Sequence, residues 1–219
     1  MIFYTYLQSK ENLMKTLFIS LMVNCSLFPT GFSQSSNDKQ VGEACDECKL
    51  MYDGMPDRLT SMFTIADEKE PGEVMLITGT IYKPDRKTPA SGVILYVYHT
   101  NSKGIYSPGP NQKVALRHGH LRGWIKTGAD GQYQFKTIRP APYPQAQNPA
   151  HIHPLIKEPG LTLYWIDEYL FENDAFVTAK VRSQQEGRGG SGIIRLIRNA
   201  KGVWVGQRDI VLGKNIPNY

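Results

Sequence analysis

The strongest constraint on this chain is a rhythm of short β-branched and aromatic runs cut by turn residues. Residues 74–82 end at Lys83-Pro84-Asp85, and residues 93–99 form a second run. Residues 124–127 and 132–138 flank Gly128-Ala129-Asp130-Gly131, whose Asp-Gly step signals a hairpin. Further apolar runs at 175–181, 192–197 and 203–212 bring the total to about seven or eight strands. The 20 glycines and 14 prolines supply the punctuation and argue against an all-helical bundle. The pattern predicts an all-β fold, an antiparallel β-sandwich with long loops and a short N-terminal extension, without internal repeats.

The first 33 residues read differently. Lys10 and Lys15 precede an apolar stretch, 17–28, followed by Pro29 and the small-x-small pattern Gly31-Phe32-Ser33, as in a secretory signal. A bilayer span needs about 20 apolar residues, so a permanent membrane helix is the poorer reading. Cys25 follows Asn24 rather than a small residue, which disfavours lipidation; Met14-Lys15 is an alternative start. The expected organisation is a signal at 1–33, a leader with Cys45 and Cys48 at 34–72, and one β domain at 73–219. Residues 50–67 are expected to pack a short helix or loop onto that domain. Export places Cys45-Asp46-Glu47-Cys48 in an oxidising compartment, periplasmic or extracellular, where the pair favours a disulfide over a metal or redox site.

The charge, +5 from 25 Lys+Arg against 20 Asp+Glu, is scattered without a basic run, so it reads as a solvated surface rather than a nucleic-acid footprint. No Gly-x-Ser-x-Gly elbow and no phosphate-binding glycine loop are present.

Five histidines carry the candidate chemistry. In His151-Ile152-His153, after a proline-rich loop, strand alternation places both imidazoles on one face about 6 to 7 Å apart at their Cα atoms, suited to joint metal ligation or to a polar surface pair. His118 and His120 share that spacing but read as solvated loop residues, and His99 as a hydrogen-bonded core or rim residue closing a strand. No carboxylate is near His151 and His153 in sequence, so a facial triad of two histidines and one acid is not suggested. The nearby oxygen donors are tyrosines: Tyr143, between Pro142 and Pro144, and Tyr106, after Gly104.

The order of these motifs over about residues 73–182 resembles the intradiol ring-cleavage dioxygenases: Gly104-Ile105-Tyr106, Leu121-Arg122-Gly123, Asp130-Gly131, Pro142-Tyr143-Pro144, then His151-Ile152-His153. The resemblance implies a β-sandwich in which Tyr106, Tyr143, His151 and His153 hold non-haem Fe(III). It also implies a catechol-type substrate and O2, with ring cleavage between the hydroxyl carbons to a muconate-type diacid. Tyr143 takes the role of the tyrosinate that the substrate displaces and that serves as a base. Phenolate is a hard anionic donor suited to a hard ferric ion. The family carries Arg three residues before its first ligand histidine, where this chain has Asn148; Arg122, alongside Arg139 and Arg117, is the candidate replacement cation. A downstream position that is usually Gln aligns with Glu168. The rival reading is an exported, non-catalytic transthyretin-like module, on the strength of Gly79-Thr80-Ile81, residues 89–92 and the 130–135 hairpin. It leaves Pro-Tyr-Pro followed by His-x-His unexplained.

Overall fold

The computed structural model describes residues 37–43, 45, 47–109 and 117–219. The proposed signal segment therefore lies outside the described residues, and among these no helix is long and apolar enough to cross a membrane. The strands are β1 (Met62–Thr64), β2 (Val74–Tyr82), β3 (Ile94–His99), β4 (Arg122–Lys126), β5 (Gln132–Ile138), β6 (His151–Lys157), β7 (Tyr164–Trp165), β8 (Tyr169–Phe171), β9 (Ile193–Ile194), β10 (Ile197–Arg198), β11 (Trp204–Gln207) and β12 (Ile210–Val211).

They form two sheets, as an all-β sandwich requires. One runs β1-β5-β2-β11-β10, with β12 also on β2; the other runs β4-β3-β6-β8-β9, with β7 also on β6. The central pairings, β2·β5, β3·β4 and β3·β6, are antiparallel as expected. The pairs β1·β5, β11·β2, β12·β2 and β8·β9 are parallel, so the sheets are mixed. These come from distant parts of the chain, which no tight turn forces into antiparallel pairing.

Alternation sorts the side chains. In β2 every second residue from Met75 is buried. Met75, Ile77 and Ile81 meet Leu95, Val97, Ile152, Ile156, Tyr169 and Phe171 of the other sheet in the main core. On the outer face of the second sheet lies another cluster, around Tyr96, Trp124 and Leu155. It is roofed by the 3-10 helix Cys48–Tyr52, whose Met51 carbonyl accepts a 2.6 Å hydrogen bond from Trp124 Nε1. Cys45 and Cys48 form a disulfide at the start of this roof.

The run at 175–181 is not a strand. Thr178 caps a short helix, α1 (Ala179–Ser183), accepting from the Val181 amide, and this local capping bond overrides the apolar pattern.

Candidate metal centre

β6 lies between β3 and β8, and its outward alternation presents His151 and His153 beside the part of the sheet that the roof leaves uncovered. The register sets Tyr98 opposite His153 on one side and Arg122 opposite Tyr98 beyond it. On the other side His151 pairs with Leu170, which brings Glu168 opposite His153. Glu168 Oε1 is 3.0 Å from His153 Nδ1. Sequence proximity concealed this carboxylate: it lies 15 residues away but on the adjacent strand line. His151, His153 and Glu168 offer ligand atoms within 4.8 Å of one another, so an acid does accompany the two histidines, against the expectation from sequence.

Two loops close over the histidines. Tyr143 Oη lies 3.0 Å from Tyr106 Oη and 3.3 Å from His151 Nε2, and the His151 and His153 rings meet edge to face at 4.6 Å. The loops are stitched together: Gly104 Cα faces the Pro142 carbonyl, Ala141 N donates to Asn101 O, and Thr100 Oγ1 donates to Ala141 O. Tyr106, Tyr143, His151 and His153 thus converge.

The donor set fits a cation. His151 Nδ1 is engaged by the Pro149 carbonyl at 2.8 Å and His153 Nδ1 by Glu168, which leaves each Nε2 as the coordinating nitrogen. Burial pushes the His151 pKa down, so its imidazole is neutral at neutral pH and its lone pair available. Burial pushes the Tyr106 phenol well up, and its hydrogen bond with Tyr143 adds to this. A buried phenol held neutral beside imidazole lone pairs is what a strongly charged ion would convert to phenolate.

Other expected residues lie elsewhere. Arg122 is separated from His153 by Tyr98; it pairs with Asp53 at 3.6 Å and lies over the Trp124 ring. Arg139 stacks over Phe171 and Trp204, and Arg117 pairs with Glu47. Asn148 Oδ1 is buried without a hydrogen-bond partner.

His99 is a buried core residue bonded to Thr137 Oγ1 and the Thr100 carbonyl, as expected. His118 and His120 are not solvated loop residues. His118 is buried, bonded to Tyr96 Oη at 2.9 Å and stacked on Tyr98, while His120 Nε2 pairs with Glu70 at 2.8 Å. The strand that follows at once, β4, draws both into the fold. Tyr98 went unread in sequence, yet its ring sits between His118 at 3.6 Å and His153 at 4.6 Å. Alternation from buried Tyr96 in β3 was the available signal.

A family model described as a dioxygenase, Dioxygenase_C, matches residues 54–189. The chain belongs to the intradiol dioxygenase family. Catechol 1,2-dioxygenase 1 of Acinetobacter lwoffii is 38% identical, the match covering 36% of this chain and 30% of that protein. Chlorocatechol 1,2-dioxygenase of Rhodococcus opacus is 32% identical over 49% of this chain and 47% of its own. The match thus spans 30% to 47% of the length of these curated relatives. Among solved structures, hydroxyquinol 1,2-dioxygenase from Pseudomonas putida DLL-E4 superposes with a TM-score of 0.55 at 20% identity, covering 81% of this chain and 67% of that one. The dioxygenase domain of a carbohydrate-binding fusion protein from Streptomyces sp. SirexAA-E gives 0.54 at 22% identity, covering 71% and 90%. Both likenesses concern the fold, and the family itself implies non-haem iron.

Proposed function

We propose that this protein is a ferric intradiol dioxygenase that takes a catechol-type diol and O2 and opens the ring between the two hydroxyl-bearing carbons. Both oxygen atoms enter a muconate-type diacid, so no other reductant is consumed. One observation carries the reading: Tyr143 Oη meets Tyr106 Oη at 3.0 Å and His151 Nε2 at 3.3 Å, with His153 alongside. Two phenols and two imidazoles converging from three segments have no purpose in a bare binding module.

Tyr106, Tyr143, His151 and His153 are the proposed ligands. Bound there, ferric iron would supply Lewis acidity toward the two diol oxygens. The rest falls to the chain. Tyr143 sits on a proline-braced loop, and its Oη is the proposed acceptor of a substrate hydroxyl proton. The Pro149 carbonyl and Glu168 hold the imidazoles in orientation. Tyr98 and Trp165 line the adjacent cavity and offer faces on which a ring can pack. Export remains part of the proposal; the Cys45–Cys48 disulfide supports an oxidising compartment.

The test is the visible spectrum of the protein loaded with Fe(III). Phenolate-to-iron charge transfer should colour it red-brown, weaken in Tyr106→Phe and in Tyr143→Phe, and shift when catechol is added anaerobically. A folded but colourless protein that retains no iron would exclude the reading.

A further inference from the structure

We infer that the cavity beside His153 selects ring diols by charge, accepting rings with a cationic or hydrogen-bond-donating substituent and rejecting those with a carboxylate, and that Glu168 sets this choice. The inference rests on the ring-diol reading above and names the substrate class within it.

The cavity, about 300 Å³, is at the small end of ligand pockets and suits one ring with a short substituent. His153, alone of the four proposed ligands, forms part of its wall together with Glu168, so the cavity borders the candidate metal centre on the His153 side. Tyr98, Leu155 and Trp165 offer faces against which a ring can pack, and Gln184 and Gln185 line it further. Its charged lining is one-sided: Asp167, Glu168 and Glu186 contribute, and among the described residues no Lys or Arg does.

These three acids are not equivalent. Asp167 is consumed by the backbone, its two oxygens accepting from the Gly187 and Arg188 amides at 2.8 and 3.1 Å. Glu186 accepts from Arg188 Nε at 2.7 Å, and that guanidinium also reaches Glu43 and lies 3.5 Å over the Trp165 ring. Glu168 is engaged through Oε1 by His153, yet 43% of its side chain remains exposed. Glu186 is more exposed, at 55%, but the Arg188 guanidinium offsets its charge, so Glu168 is the exposed acid of the lining that no guanidinium opposes. A lining whose formally charged residues, among those described, are all acids favours a donor on the ring over a carboxylate. A second carboxylate some 6 Å from Glu168, at an effective dielectric between water and protein, loses about tenfold in affinity.

The experiment measures anaerobic binding to the Fe(III)-loaded protein by spectral titration with catechol, 3,4-dihydroxybenzylamine and 3,4-dihydroxybenzoate. The amine should bind at least as tightly as catechol, and the benzoate about tenfold more weakly. Glu168→Gln, titrated at iron saturation because Glu168 also orients His153, should raise benzoate affinity relative to the amine by about tenfold. Glu186→Gln, at the residue paired to Arg188, should shift the ratio the same way but less. Benzoate binding as tightly as catechol, or an unchanged ratio in Glu168→Gln, overturns the inference. If Glu168→Gln cannot be saturated with iron, an unchanged ratio in Glu186→Gln overturns the inference instead. If catechol itself fails to bind, the ring-diol reading has failed first, and charge selection falls with it.

Discussion

Gly104 shows how closely the two tyrosine loops are fitted. Its φ of 76° is a left-handed conformation that favours glycine. A Cβ there would come within 2.0 Å of the Pro142 carbonyl oxygen, one residue before Tyr143 and two residues from Tyr106. Gly104→Ala must therefore push the loops apart. The expected cost is about 1–3 kcal/mol of stability for the backbone strain and roughly 10- to 100-fold in iron affinity, because the phenols separate while both remain present. Equilibrium iron binding beside thermal melting checks this; undiminished affinity would show that the loops reach the metal independently. At this scale the sequence was readable where chemistry and alternation coincide. His151 and His153 share a face because they are two residues apart on a strand, and the resemblance marked Tyr106 and Tyr143. Glu168 and Tyr98 were not legible as neighbours of His153, because their positions depend on cross-strand register, which no local pattern encodes.

The 3-10 helix Cys48–Tyr52 is the element that local pattern explains least, being too short for periodicity. It is held by burial of Cys48 and Met51 against the outer sheet face, by the Trp124 bond to Met51, and by the Cys45–Cys48 disulfide. Closing so short a loop restricts the unfolded chain by about 2 kcal/mol in the entropic account. A Cys45→Ser/Cys48→Ser variant should lose up to that amount in chemical denaturation. Hydrogen exchange should rise in the roof and leave β2 and β5 protected. Because Cys45 also lines the cavity beside His153, the same variant should bind catechol more weakly. Unaltered roof protection would assign the roof's order to its apolar contacts alone. The same scale explains where strand reading went wrong. The long runs at β2, β3 and β5 were plain, whereas 175–181 has strand-like composition but a threonine cap, and the parallel pairs join segments too distant for any turn to announce.

Across the whole molecule, acid sensitivity follows from which groups are buried uncharged. Burial lowers the His99 pKa from 6.5 to about 4, against the opposing pull of the Thr100 carbonyl, and burial likewise lowers His118 to about 4. For both, the unfolded chain binds the proton more readily than the folded one. Their contribution to stability is therefore complete above about 6.5 and is lost as pH falls toward 4, at up to about 1.4 kcal/mol per pH unit for each histidine. Glu158 runs the other way. Burial raises its pKa despite hydrogen bonds from Tyr164 and Tyr219, so it favours folding below its ordinary value of 4.5 and loses that contribution as pH rises through its folded value. The histidines should then dominate between about pH 5 and 6.5. Chemical denaturation of the iron-free protein across that window should give stability falling with acid at a slope approaching two protons from His99 and His118, to which His151, also lowered by burial, adds. His99→Gln, which retains polar atoms toward Thr137 and Thr100, should remove about one of those protons. A slope that His99→Gln leaves unchanged would mean that the buried ring takes up its proton over the same pH range as in the unfolded chain, and the core around Thr137 would then have to hold a charge in acid.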